Sequence, residues 1–269
     1  MRPVNSFMGA IAVLIGAYVL SGSSSLGNLN VYLGIIATFF ISGGGMAIND
    51  YFDRDIDIIN KPHRPIPSGR ISVNASIIFS AILFAFGIYI SLFINPYCFV
   101  LATINSILLV LYSWKLKKVM LIGNIIVSYL VASTFLFGAL TVIGNGNLWT
   151  IVILSTLAFF ANLSREIVKT IEDVKGDRIA GVRTLPMVVG EKTAREIASI
   201  LLIISIALAP MPYVLDYLNS YYMAVVFLGI ILFIFSIIWN QRETPANRVH
   251  KLMKIAMLIC LIAFLVGAL

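Results

Sequence analysis

Within residues 31–57 the sequence reads VYLGIIATFFISGGGMAINDYFDRDID, and its character changes abruptly after Asn49. The 19 residues up to Asn49 carry no charge, and a helix needs about 20 apolar residues to cross a bilayer. The eight residues that follow include four aspartates and one arginine. A membrane-crossing helix that ends in an acid cluster is the unit on which the fold and function predictions rest.

The composition indicates an integral membrane protein. Of 269 residues, 60% are hydrophobic and 12% are charged, whereas a soluble domain carries about 25% charged residues. We attribute the net charge of +7 to cytoplasmic loops rather than to a nucleic-acid partner, which we do not expect. Cys98 and Cys260 lie far apart in apolar segments, so neither a disulfide nor a metal pair is predicted. The N-terminal stretch has no small-residue cleavage site, and we interpret it as a retained first span.

Nine membrane spans are predicted from five long apolar stretches. Four of them are interrupted by turn-forming residues and therefore supply two helices each, while the fifth supplies one. The stretches are 3–49 (interrupted at 21–30), 71–114 (at 95–96), 119–164 (at 144–147), 197–241 (at 210–219) and 249–268. We therefore predict an all-α integral membrane bundle of nine transmembrane helices that forms a single domain over residues 1–269.

Charge is confined to one side of the predicted bundle. All 19 Lys and Arg residues lie at the N-terminus and in four segments. Eleven of the twelve acids lie on that same side, within these segments or directly beside one of them (Glu196), Asp216 being the exception. The segments are 50–70, 115–118, 165–195 and 242–254. The positive-inside rule then predicts a multi-pass protein of the cell membrane with a cytoplasmic N-terminus and an external C-terminus.

Two of the charged segments are predicted to be Asp-rich cytoplasmic loops that resemble each other. One reads Asp53-x3-Asp57-x6-Arg64, and the other reads Asp173-x3-Asp177-x5-Arg183. This similarity favours an internal repeat whose two halves have diverged in sequence, and such a repeat would place the two acid clusters face to face.

The spacing of the acids predicts a cation site. Asn49, Asp53 and Asp57 would form one stripe about 12 Å long if the second helix continues, at about 1.5 Å per residue, with Asp50 at its edge. Asp173 and Asp177 repeat the four-residue spacing. Oxygen donors without paired His or Cys suit Mg²⁺, which commonly uses one or two carboxylates together with substrate phosphate oxygens.

Other interpretations of the acid clusters remain open at this point. An EF-hand loop is excluded because Ile58 stands where Gly is required and Arg64 stands where Glu is required. Solvated loop charges would explain one cluster, but two clusters with the same spacing on one side of the membrane make this less favoured. A cation transporter also places acids near a membrane boundary.

Basic residues near the acids favour phosphate chemistry over ion transport. Carboxylates, a metal and cations together are typical of sites that bind and ionise a diphosphate, and a transporter should carry charges at mid-span, where this chain has none. The basic residues concerned are Arg64, Arg70, Lys115, Lys117 and Lys118.

These motifs resemble those of the UbiA superfamily of intramembrane prenyltransferases. The family pattern Asn-Asp-x2-Asp-x3-Asp is matched at residues 49–57, and its Asp-x3-Asp is matched at residues 173–177 after Arg165-Glu166-x2-Lys169-x2-Glu172. The resemblance covers essentially the whole chain. One departure concerns the family's Tyr-x3-Lys before the fifth helix, because Lys115 follows Tyr112 by three positions and Lys117 follows it by five.

The resemblance implies an enzyme that transfers an isoprenyl group from a diphosphate donor to a lipid acceptor. It implies Mg²⁺ ions held by Asn49, Asp53, Asp57, Asp173 and Asp177, with these aspartates and Asp50 as the catalytic residues. It also implies a long apolar groove whose aromatic residues shield a carbocation. The substrate-binding residues implied are Arg2, Arg64, Arg70, Tyr112, Lys115, Lys117, Lys118 and Lys169.

Within the family, residues 60–70 and 163–177 most resemble the archaeal branch that makes ether lipids. This implies transfer of a geranylgeranyl group from geranylgeranyl diphosphate to the sn-2 hydroxyl of geranylgeranylglyceryl phosphate. Basic residues beyond those a diphosphate needs, such as Lys169, Arg183 or Arg195, would then serve the acceptor's phosphate. Prenylation of an aromatic quinone precursor remains the alternative.

Overall fold

The computed structural model describes residues 3–60, 62–143, 146–179 and 181–269, and all regular structure in them is helical. The α-helices are α1 (Pro3–Ser21), α2 (Leu29–Phe52), α3 (Arg54–Asn60), α4 (Val73–Leu92), α5 (Pro96–Trp114), α6 (Ile122–Leu140), α7 (Leu148–Ile179), α8 (Leu185–Val189), α9 (Glu191–Leu208), α10 (Met211–Val214), α11 (Ser220–Gln241) and α12 (Ala246–Gly267). Short 3₁₀ turns at Gly22–Gly27 and Leu116–Lys118 complete the order.

Nine helices of the described residues are long and apolar enough to cross a membrane. They are α1, α2, α4, α5, α6, α7, α9, α11 and α12, whereas α3, α8 and α10 are too short. The predicted interruptions at 21–30, 95–96 and 210–219 coincide with the ends of these helices, where Ser, Gly, Asn and Pro cap one helix or start the next. At Asn95, for example, the side chain accepts a hydrogen bond from the Cys98 amide, and Pro96 is the first residue of α5. The interruption at 144–147 includes residues 144 and 145, which lie outside the described residues. The all-α bundle of nine spans is therefore confirmed.

The second acid pair lies on a helix and not in a loop, which corrects the prediction of two Asp-rich loops. Helix α7 has 32 residues and is therefore about 48 Å long at 1.5 Å per residue, well beyond the hydrocarbon core of about 30 Å. Its uncharged part runs from Leu148 to Ser164. The last turns of α7, with Asp173 and Asp177, thus extend to the edge of the membrane or past it.

The first acid cluster keeps the predicted stripe, although α2 itself ends at Phe52. Asp53 is a single turn residue between α2 and α3, yet its amide donates to the Asn49 carbonyl (2.9 Å). The Asp57 amide in turn donates to the Asp53 carbonyl (2.8 Å). These two bonds preserve four-residue spacing across the break, so Asn49, Asp53 and Asp57 follow one another along one face.

Close helix contacts hold the bundle together. An added Cβ at Gly138 of α6 would lie 2.0 Å from the Val13 carbonyl oxygen of α1, and one at Gly16 would lie 2.1 Å from the Phe135 carbonyl oxygen. Only glycine permits backbones to approach this closely, which is the usual device for membrane helices because lipid supplies no hydrophobic force between them. The Ser80 hydroxyl adds a hydrogen bond between spans, donating to the Gly44 carbonyl at 2.8 Å.

Candidate active site

A chamber of about 940 Å³ lies inside the bundle, between α1, α2, α5, α6, α7 and α12. Small-molecule sites occupy about 300–1,000 Å³, so the chamber is at the upper end of that range. Much of its wall is aliphatic, for example Met46, Leu109, Val127, Leu130 and Leu157. A group of polar and charged residues also lines it: Asn49, Tyr112, Arg165, Glu166, Lys169 and Lys254.

Aromatic residues contribute little to the chamber wall. Only Tyr112, Phe135, Phe137 and Phe264 line it among the described residues, out of 17 Phe and 11 Tyr in the chain. The expectation of an aromatic-lined groove is therefore wrong for most of its length. Tyr112 is the one of these four that belongs to the charged group, since Asp53, Glu166 and Asp177 all act electrostatically on its hydroxyl.

Lys117 reaches directly into the first acid cluster. Its Nζ donates to Asn49 Oδ1 (3.2 Å) and to Asp53 Oδ1 (2.5 Å), and the Asn49 amide donates to Asp53 Oδ2 (2.9 Å). The lysine side chain is only 15% exposed. A positive charge therefore already stands between an amide oxygen and a carboxylate oxygen.

The local backbone explains why Lys117, and neither neighbouring lysine, takes this position. The chain turns tightly after α5, and Leu121 adopts a left-handed φ of 64° before α6 begins. An added Cβ on Gly123 would lie 3.1 Å from the Lys117 Cα, so glycine lets this turn lie close against α6. Lys115 and Lys118 are exposed and make no hydrogen bond to the acids in the described part of the chain.

Arg64 neutralises the other two acids of the first cluster. Its Nη1 donates to Asp50 Oδ1 at 3.3 Å and also forms an ion pair with Asp57. Asp57 is only 4% exposed, so a paired cation is needed to keep its charge there. Asp55, by contrast, is exposed and pairs with Arg54 at 3.6 Å.

Arg70, a predicted phosphate ligand, makes no hydrogen bond or ion pair with the acid cluster in the described part of the chain. Arg70 donates to the Ser68 hydroxyl (3.0 Å) and to the His63 carbonyl (2.5 Å), so it stabilises the loop that carries Arg64. Arg2 lies outside the described residues.

The second acid pair converges on the same region from α7. Asp173 is exposed and Asp177 is half-buried. Burial raises the pKa of Asp177, the charge of Asp173 raises this pKa further, and Lys169 lowers it in part. Asp53 and Asp177 both act electrostatically on the Tyr112 hydroxyl, so an aspartate of each acid motif lies in the neighbourhood of this residue. The face-to-face placement of the two clusters stays a prediction.

Helix α7 also carries a charged wall of the chamber. Arg165 Nη1 pairs with Glu166 Oε1 at 2.5 Å, and Lys169 Nζ lies 4.0 Å from Glu166 Oε2. The spacing of Asn162, Arg165, Glu166 and Lys169 places them on one helical face, a signal that identifies them as a set. Sequence reasoning assigned Arg165, Glu166 and Lys254 no role, because charges near a membrane edge are usually topology anchors.

The expectation that Arg195 binds the phosphate of the acceptor needs correction. Arg195 is 4% exposed and is buried between α9 and α11, where Nη1 donates to Asn240 Oδ1 (3.2 Å) and the Thr244 carbonyl (3.3 Å). It also pairs with Glu191 at 2.7 Å, so its role is structural. Arg183 is exposed and is not part of the chamber wall.

The oxygen donors fit a Mg²⁺ site that a substrate completes. No three acidic, His or Cys side chains of the described residues converge closely enough to hold a metal by themselves. Mg²⁺ in phosphate-binding sites commonly takes only one or two carboxylates and receives the rest of its oxygens from phosphate and water. Asn49 Oδ1 and Asp53 Oδ1, which share the Lys117 ammonium, are donors of this kind.

Comparison with known proteins gives the class to which this fold and site belong. The model of the UbiA prenyltransferase family matches residues 9–262, and the chain belongs to this family. It is therefore a membrane prenyltransferase, as the motifs predicted, with nine candidate spans in the part of the chain that the structure describes.

Individual relatives are similar over their full length. The digeranylgeranylglyceryl phosphate synthase of Methanococcoides burtonii is 42% identical over 98% of this chain and 94% of its own length. That of Methanopyrus kandleri is 39% identical over 100% and 97%. A structure described as giving insights into digeranylgeranylglyceryl phosphate synthase in membranes matches with a TM-score of 0.89 and 39% identity, over 99% and 95% of the two chains.

A more distant relative shares the fold. A UbiA homolog from Archaeoglobus fulgidus bound to GPP and Mg²⁺ has a TM-score of 0.76 and 20% identity, with coverage of 98% of this chain and 95% of that one.

Proposed function

We propose that this chain transfers a geranylgeranyl group from geranylgeranyl diphosphate to the sn-2 hydroxyl of geranylgeranylglyceryl phosphate. The observation that carries the proposal is the chamber itself, which combines an apolar body with a charged wall that contains Glu166 and the cations Arg165, Lys169 and Lys254. The names of relatives about 40% identical over the whole chain support the choice of substrates. We propose further that residues 1–269 act as a single prenyltransferase domain.

Lys117 and Arg64 are the proposed ligands of the donor's diphosphate. Each now neutralises acids of the first cluster and can transfer its hydrogen bonds to phosphate oxygens when a metal–diphosphate complex takes its place. Asp50 holds Arg64 near this position. We propose that the charges of Lys115, Lys118, Arg70 and Arg2 add positive potential that favours the diphosphate.

The five proposed Mg²⁺ ligands come from the two acid motifs. They are Asn49, Asp53, Asp57, Asp173 and Asp177. Bound Mg²⁺ supplies positive charge that stabilises the departing diphosphate. The side chains of both motifs contribute by fixing the diphosphate near Tyr112, at the charged part of the chamber wall.

Tyr112 lies where the reacting carbon of the donor must be placed. As the bond between the allylic carbon and the diphosphate oxygen breaks, positive charge develops on that carbon, and the face of an aromatic ring attracts it. The acceptor hydroxyl oxygen then bonds to the carbon, and its proton passes to a carboxylate at the charged wall. The aliphatic remainder of the chamber excludes water, which would otherwise capture the carbocation.

The proposed orientation follows the charge distribution. With nine spans, the connections between α2 and α4, α5 and α6, α7 and α9, and α11 and α12 lie on the same side as the N-terminus. These connections carry most of the basic residues, so we place them in the cytoplasm of the cell.

An acceptor competition assay tests the proposed function. Purified protein in detergent receives radiolabelled geranylgeranyl diphosphate and Mg²⁺, with geranylgeranylglyceryl phosphate and 4-hydroxybenzoate offered together. We expect label in the glycerol lipid alone. We also expect EDTA to abolish transfer and excess Mg²⁺ to restore it, because the acids need a cation to accept a diphosphate.

Other outcomes assign the chain differently. Label in the aromatic compound would support prenylation of a quinone precursor. Label in neither compound would contradict both assignments, and transfer that persists in EDTA would contradict the metal site.

A further inference from the structure

Three cations of the chamber wall are separate from those at the first acid cluster. Arg165 and Lys169 come from α7 and Lys254 comes from α12, and all three line the chamber. Lys117 and Arg64, in contrast, are bound to Asp53, Asp50 and Asp57. There are therefore two groups of positive charge, one in the chamber wall and one at the first acid cluster, and only the latter is paired with the first acid motif.

The α7–α12 group has more positive charge than its own acids neutralise. Glu166 pairs with Arg165 and lies 4.0 Å from Lys169, while Lys254 makes no ion pair with any described residue. The Arg165 Nε is buried and has no hydrogen-bond partner among the described residues. A buried donor without a partner costs stability unless a ligand or water satisfies it, so this wall has unused capacity for an anion.

Lys254 stands where a lipid would enter. The next chamber-lining residues on α12, Ile255 and Leu258, are 53% and 57% exposed, and Met8 on α1 is 53% exposed. These residues face both the chamber and the lipid that surrounds the bundle. An amphiphile that enters between α1 and α12 would thus pass its head group close to the Lys254 ammonium.

The chemistry of the proposed reaction requires a second anion site. In geranylgeranylglyceryl phosphate, the phosphate is attached to the carbon next to the one that bears the reacting hydroxyl. When this hydroxyl reaches the donor carbon, the acceptor's phosphate is drawn towards the donor's diphosphate, and the two repel each other. Separate cations must hold the acceptor's phosphate, because those at the first acid cluster are committed to the diphosphate.

We infer that Lys254, together with Arg165 and Lys169, binds the phosphate monoester of the acceptor. The inference rests on the proposed function. It makes Lys254 a specificity-determining residue that distinguishes a phosphorylated acceptor from a neutral one, and it gives the unpaired Arg165 Nε a ligand. It also replaces Arg183 and Arg195, which the sequence suggested for this task.

The test compares Lys254→Met with Lys251→Met. Lys251 lies one turn earlier on α12, is exposed and does not line the chamber, so the control removes the same charge from the same helix. Transfer kinetics are measured with geranylgeranylglyceryl phosphate and with geranylgeranylglycerol, which lacks the phosphate. Binding of both lipids is measured separately, without donor or Mg²⁺, so that it does not depend on turnover.

For Lys254→Met we expect the KM for the phosphorylated acceptor to rise at least tenfold, a factor that corresponds to about 1.4 kcal/mol. The KM for geranylgeranyl diphosphate and the rate with geranylgeranylglycerol should change less than about twofold. Lys169→Met should act in the same direction, and Lys251→Met should behave as the unmodified protein does. Binding of the phosphorylated lipid should weaken by a similar factor in Lys254→Met.

Several outcomes separate this inference from the proposed function. In two cases the inference is overturned and the function stands, provided that the unmodified protein transfers to the phosphorylated lipid. In the first, Lys254→Met leaves the KM and the binding of this lipid unchanged. In the second, Lys254→Met weakens the binding of both lipids equally. If no transfer occurs but phosphorylated lipid binds in a Lys254-dependent manner, the function is overturned and the anion site stands. Absence of both transfer and binding overturns both.

Discussion

Replacing Arg64 with alanine should destabilise the substrate-free protein far more than the protein loaded with metal and diphosphate. Arg64 contacts Asp50 at 3.3 Å and pairs with Asp57, and its side chain is 13% exposed. Asp57 is 4% exposed. Without Arg64, the buried Asp57 loses the one cation that pairs with it in the described part of the chain, and it remains close to the carboxylate of Asp50.

The magnitude follows from this burial. Removing one partner of a buried ion pair costs about 3–5 kcal/mol, and partial exposure of Asp50 favours the lower value. At about 2–4 °C per kcal/mol for a chain of this size, a loss of about 3 kcal/mol lowers the melting temperature by about 6–12 °C. With Mg²⁺ and pyrophosphate bound, metal charge replaces the guanidinium, and we expect the difference to fall below about 1 kcal/mol.

Thermal unfolding of the detergent-solubilised protein measures both states. Arg64→Ala and the unmodified protein are each heated with EDTA and then with Mg²⁺ and inorganic pyrophosphate. Arg54→Ala is the matched control. Arg54 makes a surface pair with Asp55, a long hydrogen bond to the Tyr51 carbonyl (3.4 Å) and a cation–π contact with the Tyr51 ring, and at partly exposed sites such interactions contribute about 0–1 kcal/mol each. Equal destabilisation of Arg64→Ala with and without ligand would refute the argument that Arg64 occupies the place of a bound cation.

Two further predictions concern the acids and the helix contacts. Asp53→Ala and Asp177→Ala should each lower the transfer rate by at least about 10²-fold, as loss of a group that stabilises developing charge does. Asp216→Asn should leave the transfer rate nearly unchanged, because Asp216 is exposed and asparagine tolerates its φ of 55°. Near-normal rates for either alanine variant would contradict the metal site. Gly138→Leu should reduce the melting temperature by several degrees, since its Cβ would lie 2.0 Å from the Val13 carbonyl oxygen; an unchanged value would show that α1 and α6 can separate freely.

The spans could be predicted from the sequence because their physical signal is local. An uncharged stretch of sufficient length and a turn residue such as Asn95 or Pro96 determine a membrane helix and its end. The extent of α7 could not be predicted this way. Charged residues after Leu163 were interpreted as a loop, whereas Glu166, Lys169 and Glu172 at spacings of three continue a helix favourably beyond the lipid.

The acid motifs could also be identified in advance, but their partners could not. Lys115, Lys117 and Lys118 are equivalent in sequence, and only the backbone turn at Leu121 decides which of them faces the acids. The position of Lys254 depends on how α12 rotates against α7, and no spacing within α12 reveals this. Contacts between distant helices are the part of the site that a single sequence leaves open.

Because α7 is continuous, it sets the distance between the chamber wall and the second acid pair. Arg165 and Asp173 are eight residues apart on one uninterrupted helix, a separation of about 12 Å along the axis at 1.5 Å per residue. A single residue inserted between them would lengthen this distance only slightly but would rotate everything beyond it by about 100°. The chamber wall and the acid pair thus keep a fixed relative position. Substitutions in the apolar part of the chamber can change which lipid tails fit, whereas an insertion or deletion between Arg165 and Asp173 would separate the two halves of the site.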